Sequence, residues 1–197
     1  MRQDKITLMT DTTKIKSMRF FPDWERTNGS QIRGLIEMMY DINKLRNGKH
    51  LECVEIGSHT GESALIMSSF PFIKRFHCVD IHENEDIKKR LKQLVMLDRV
   101  KIIFQDSEEY APTIPDNSID MVYIDANHDY DSVKRDLNTW SSKVKKSGFI
   151  CGHDYSKTFW GVIQSVNELS DLKQALVKNY VDGSYMIQKT WDVKPLC

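Results

Sequence analysis

The sequence predicts an α/β fold: one domain built on a mostly parallel sheet that ends in an antiparallel hairpin. Three observations carry this. Short apolar runs alternate with stretches whose apolar residues recur at helical spacing. Within the short runs, successive positions are apolar, as strands covered on both faces require. The last pair, QALVKNY and SYMIQK, flanks Val181-Asp182-Gly183, a short Asp-Gly connection suited to a hairpin. A chain of 197 residues is long enough for one such domain with a substantial core, and short for two.

In chain order, residues 1–29 are polar and aperiodic apart from MRFFPDW, and are expected to form an arm or lid in which Phe20, Phe21 and Trp24 cover an acceptor or pack on the domain. The domain proper is expected over 30–190, with a tail over 191–197. From Ser30, the residues Ile32, Leu35, Ile36, Met39, Ile42 and Leu45 make one helical face, which Asn47-Gly48 ends. Strands are expected over LECVEI (51–56), FHCVD (76–80), VKIIF (100–104), IDMVYI (119–124) and GFIC (148–151). Between them, ESALIMSSF opens a helix after Gly61, and Ile87, Leu91, Leu94 and Val95 mark a second near 84–96. Val133, Leu137, Trp140 and Val144 mark a third; Val162, Ile163, Val166 and Leu169 mark a fourth. Five parallel strands and a terminal hairpin make seven strands.

Composition narrows the partners. Basic and acidic residues total 28 each, so no sequence-wide charge bias points to nucleic acid or an anionic membrane. The start, MRQDKITLMTDTTK, has no apolar leader, and no stretch approaches the roughly 18 apolar residues of a membrane span. Cys53, Cys78 and Cys151 lie inside apolar runs and Cys197 ends the chain, with no CxxC spacing. They read as reduced, packed thiols. A cytoplasmic protein with a small-molecule partner is expected, without nucleic acid or membrane and with room for a homodimer.

In open α/β sheets the ligand sits at the carboxyl ends of the strands, so the residues just beyond each apolar run matter most. VEIGSHTGES follows the first, with Glu55 ahead of a GxxxG turn at Gly57 and Gly61. Such a turn allows close backbone approach and offers helix N–H groups to an anion, or is a plain structural turn. It is not the GxGxxG of dinucleotide binding. Asp80 after the second strand suits both hydroxyls of a ribose, or a helix cap. Asp106 and Ser107 after the third suit an exocyclic amine, or cap the helix beginning SEEY. YIDANHDY and CGHDY follow the fourth and fifth.

Together VEIGSHTGES, VDIHE, FQDSEE, DMVYIDANHDY and GFICGHDY resemble the class I S-adenosylmethionine-dependent methyltransferases. Within that class they resemble small-molecule O-methyltransferases of the catechol type or of the sugar and macrolide type, over roughly residues 30–190. The resemblance implies a Rossmann-like seven-stranded sheet. It implies that Glu55, Gly57, Ser58, Gly61 and Ser63 surround the methionine part of the cofactor, with Ser63 bonding its carboxylate. Asp80 would hold the ribose, Asp106 and Ser107 would flank the adenine, and Asp125 would face the cofactor as well.

In the metal-dependent branch, the resemblance places a divalent ion on Asp125, His153 and Asp154, with His128 as the base. Without a metal, His128 or His153 would be the base. Histidine stands where the family more often has lysine or an acid at 128, and an acid ahead of an acid or amide at 153–154. Imidazole suits manganese or another transition metal better than magnesium. The expected function is O-methylation of a small hydroxylated sugar or phenolic acceptor. The rivals are a nicotinamide-dependent oxidoreductase, disfavoured by the missing GxGxxG, a cofactor-binding protein without catalysis, and a metal-dependent hydrolase or hydroxylase on the same scaffold.

Overall fold

The computed structural model describes residues 30–192. Helix α1 (Ser30–Leu45) buries Leu35, Met38, Met39 and Ile42 and stops where Asn47 and Gly48 take left-handed backbone angles. The alternation that follows is β1 (Leu51–Ile56), α2 (Glu62–Ser69), β2 (Ile73–Asp80), α3 (Glu85–Met96), β3 (Val100–Phe104) and a single turn α4 (Ser107–Tyr110). It continues with β4 (Ile119–Ile124), α5 (Tyr130–Lys143), β5 (Val144–Gly152), α6 (Trp160–Lys173), β6 (Val177–Asn179) and β7 (Tyr185–Gln188).

The seven strands are ordered β3-β2-β1-β4-β5-β7-β6. The first five are parallel; β7 runs antiparallel between β5 and β6, pairing Cys151 with Met186 and Lys178 with Met186. The hairpin therefore folds back into the sheet, and its second strand rather than its first joins β5.

Successive strand residues serve opposite faces. Cys53, Cys78, Met121, Tyr123 and Phe149 pack against α1, α2 and α3. Val54, Val79, Val122 and Ile150 pack against α5 and α6 around the fully buried Trp140. Burial on both faces is why the strands read as continuous apolar runs. Cys53, Cys78 and Cys151 are buried and free, and burial raises all three thiols above their ordinary value.

Two boundaries differ from the sequence expectation. β2 begins at Ile73 and β5 at Val144, so α5 passes into β5 without a loop. Val144, at helical spacing from Trp140, is instead the first strand residue and pairs with Ile119. A buried apolar residue at a helix end satisfies either period. No helix among the described residues is long and apolar enough to cross a membrane. The expected arm over 1–29, with Phe20, Phe21 and Trp24, lies outside the described residues, as do 193–197 of the expected tail.

Candidate active site

The chain reverses its direction of travel across the sheet between β1 and β4, and a crevice opens beyond their carboxyl ends. A cleft of about 960 Å³ occupies this place, lined by Gly57, Ser58, Ser63, Asp80, Asp106, Ser107, Asp125, His128, His153 and Asp154, among others. That volume suits a ligand of nucleoside size. Among the expected site residues, Glu55 and Gly61 stand behind the wall.

The β1–α2 turn is held by contacts within the protein. A Cβ on Gly57, at φ 87°, would lie 2.1 Å from the carbonyl oxygen of Asp125, and one on Gly61, at φ 78°, would lie 2.7 Å from Ile87. Glycine is therefore needed here for the approach of two strand ends and of α3, beyond any ligand contact.

Glu55 is completely buried. Ser63 donates its hydroxyl to Glu55 Oε1 at 2.5 Å, while Glu55 Oε2 and Ser58 Oγ have no hydrogen-bond partner. Burial pushes the Glu55 carboxyl up to about 7, with the hydroxyl of Ser63 acting against it. With its proton given to Glu55, Ser63 faces the cleft as an acceptor. That suits an ammonium better than the carboxylate expected from sequence.

Asp80 ends β2, where its two oxygens accept from the backbone N–H groups of His59 and His82 at 2.7 and 2.8 Å. These bonds aim the carboxylate along the cleft and leave lone pairs for hydroxyl donors. Asp106 caps α4 by accepting from Glu108 N at 2.8 Å, the capping role that its position allowed. Ser107 donates to Asp136 Oδ1 at 2.7 Å, so its remaining capacity is as an acceptor.

At the other end of the cleft, Asp125 follows β4, His128 lies in the loop before α5, and Asp154 follows β5. His128 Nε2 is 2.8 Å from Asp154 Oδ2 and 3.8 Å from Asp125 Oδ1. One ligand atom from each of the three lies within 4.8 Å of the other two. The convergent trio thus contains His128 in the place that sequence reading gave to His153. His153 turns Nδ1 toward Asp154 Oδ1 at 3.1 Å, and its Nε2 is buried without a partner.

Asp125, with Asp154 adding to it, raises His128 above the usual imidazole value against the opposing effect of burial. Burial lowers His153, but its hydrogen bond to Asp154 and the charges of Asp125, Asp154 and Asp182 prevail and raise it. Phe159 packs against His128, the ring centroids 4.5 Å apart and the planes tilted by 52°. A Cβ on Gly161 would lie 2.6 Å from the His128 carbonyl, so α6 presses directly on this loop.

Sequence reasoning missed Asp182 and Phe159. Asp182, in the β6–β7 turn, lines the cleft and accepts from Leu35 N at 2.8 Å, tying the hairpin to α1. Its signal was the Asp-Gly pair, which was read only as a turn.

The model of a family described as "Methyltransferase domain" matches residues 54–155, just over half of the chain. An uncharacterized protein of Acanthamoeba polyphaga mimivirus is 31% identical over 131 residues, 60% of this chain and 59% of the viral protein. The match thus spans less than two thirds of that relative. The fold resembles the O-methyltransferase TomG of Streptomyces achromogenes, solved with S-adenosylmethionine (12% identity, TM-score 0.61, 92% of this chain and 91% of that one). It also resembles a Staphylococcus aureus protein assigned as a caffeoyl-CoA O-methyltransferase (17%, 0.67, 93% and 99%). An rRNA methylase of Streptococcus thermophilus is a third (12%, 0.60, 81% and 98%). At these identities the likeness is one of fold. The family match, the strand order and the placement of the cleft at the strand switch lead to one conclusion: this chain belongs to the methyltransferase-domain family, with the class I, S-adenosylmethionine-dependent architecture.

Proposed function

We propose that the protein transfers a methyl group from S-adenosylmethionine to a hydroxyl of a small sugar-like or phenolic acceptor, with a divalent transition-metal ion held by Asp125, His128 and Asp154. One observation carries the reading. The three convergent side chains share a cleft with the Asp80 carboxylate and the Gly57 turn, so a nucleoside site and a hydroxyl-activating site adjoin.

S-adenosylmethionine supplies an electrophilic methyl group on its sulfonium sulfur. Asp80 receives the ribose hydroxyls, Asp106 and Ser107 border the adenine, and Ser63 receives the ammonium. An acceptor hydroxyl is a poor nucleophile until its proton is drawn away, and it must lie in line with the departing sulfur. A divalent ion would supply both acidity and orientation to that hydroxyl. The donor set fits one: two carboxylates and an imidazole match manganese, iron, nickel or zinc better than magnesium. Asp125, His128 and Asp154 would hold the ion, one atom from each lying within 4.8 Å of the other two. His153 holds the other oxygen of Asp154 and so fixes which one faces His128.

The 2.8 Å contact with Asp154 supports a second reading, in which His128 is a carboxylate-oriented base and no metal is present. Titration of chelator-treated protein with Mn²⁺ separates the two. One-to-one binding, weakened at least about tenfold in Asp125→Asn and His128→Ala, is expected. No Mn²⁺ binding, with S-adenosylhomocysteine binding intact, leaves the metal-free base. The chain's balanced charge favours a small acceptor over RNA.

A further inference from the structure

Glu55 is a buried acid with one oxygen engaged and one idle, and the mechanism above gives it no task. Its Oε1 takes the hydroxyl proton of Ser63, and Ser63 in turn lines the cleft. The direction of that bond depends on the protonation of Glu55. When the carboxylate is ionised, Ser63 must donate inward and presents lone pairs to the cleft. When the carboxyl is protonated, it can donate to Ser63, whose own proton is then free to turn outward. The first arrangement offers an ammonium two lone pairs of Ser63 above an anion; the second offers one lone pair and no anion.

We propose that a proton on Glu55 competes with the ammonium end of the amino-acid-bearing cofactor, so that cofactor binding expels this proton to solvent. The inference rests on the methyltransferase reading and assigns its cofactor site a pH response. The groups that face Glu55 from the packed elements are Ser58 in the turn, Ser63 on α2, Cys78 and Asp80 on β2, and Tyr123 and Asp125 on and just beyond β4. None of these is a cation. The two carboxylates make ionisation of Glu55 harder while the cleft is free, and an arriving ammonium makes it easier. Burial places the free carboxyl at about 7, so the exchange falls in the range where a cell operates. Only the O–H bond of Glu55 breaks, and the proton leaves to buffer.

The test is calorimetric titration of the full chain with S-adenosylhomocysteine, in chelator, at several pH values and in buffers of different ionisation enthalpy. Affinity is expected to rise about tenfold between about pH 6 and pH 8, with roughly half a proton released per ligand near pH 7. Glu55→Gln is expected to bind with the weaker, low-pH affinity at every pH and to release no proton. Adenosine, which lacks the ammonium, is expected to show neither effect. Binding without proton release in the wild type, or release that persists in Glu55→Gln, overturns the proposal and leaves the methyltransferase reading standing. No binding of S-adenosylhomocysteine at any pH removes that reading itself.

Discussion

A carboxyl group buried at the end of a central strand costs the fold stability whenever it ionises, and Glu55 is such a group. Its folded pKa of about 7 lies above the ordinary 4.5, so folding favours the protonated form. Its contribution to stability is therefore whole below about pH 4.5, is lost as pH rises to about 7, and changes no further above that. The displacement corresponds to about 3 kcal/mol. Glu55→Gln is expected to make the ligand-free protein up to about 3 kcal/mol more stable than wild type near pH 8, and nearly equal to it near pH 4.5. Urea unfolding at the two pH values measures this; an equal difference at both would contradict it. Glu55, Gly57, Asp80 and Asp125 stood out in the sequence because each lies at or just beyond the end of an apolar run; Gly57, Asp80 and Asp125 line the cleft and Glu55 stands behind its wall. The partners of Ser63 and His128 were not, since neither Ser63 to Glu55 nor His128 to Asp154 is set by spacing along one element.

At the scale of elements, the end of α5 shows how the fold meets a need that sequence does not announce. The helix runs straight into β5; the backbone N–H groups of Asn117 and Ser118 satisfy the carbonyls of Ser142 and Lys143, and those of Ser141 and Val144 call for another donor. Lys189, just past β7 and completely buried, donates to the carbonyls of Val144 at 2.6 Å and Ser141 at 3.0 Å, and to Asn117 Oδ1 at 3.3 Å. A cation at a helix C-terminus also meets the favourable end of the helix dipole. Lys189→Met removes donors from three acceptors, two of them main-chain carbonyls. It is expected to cost about 2–4 kcal/mol in unfolding free energy while leaving S-adenosylhomocysteine affinity unchanged. A loss under about 0.5 kcal/mol would show that these carbonyls are satisfied otherwise. The same junction explains the misplaced Val144, because apolar spacing is continuous where a helix feeds a strand without a turn.

At the scale of the whole molecule, the cleft gathers ends of β1, β2, β3, β4 and β5 with the hairpin turn at Asp182 and the α1 residues Ile32 and Leu35. A ligand filling the cleft would meet the ends of five strands, and its binding energy would add to that of the fold. At about 100 times its dissociation constant, S-adenosylhomocysteine is expected to raise unfolding free energy by about 2.7 kcal/mol, read as a rise in Tm. Nicotinamide dinucleotide at matched concentration is expected to give no rise, and stabilisation by it instead would favour an oxidoreductase.

The sequence by itself determined the seven strands, their parallel sense up to the hairpin, and the acidic and glycine residues at their carboxyl ends. These follow from periodicity and from which residue types a strand end tolerates, both properties of short segments. Only the tertiary structure decided that β7 enters between β5 and β6, that Asp182 reaches α1, and that His128 converges with Asp125 and Asp154. Each of these is a contact between elements far apart in the chain, fixed by how helices pack on the sheet, and spacing within any one segment carries no record of it.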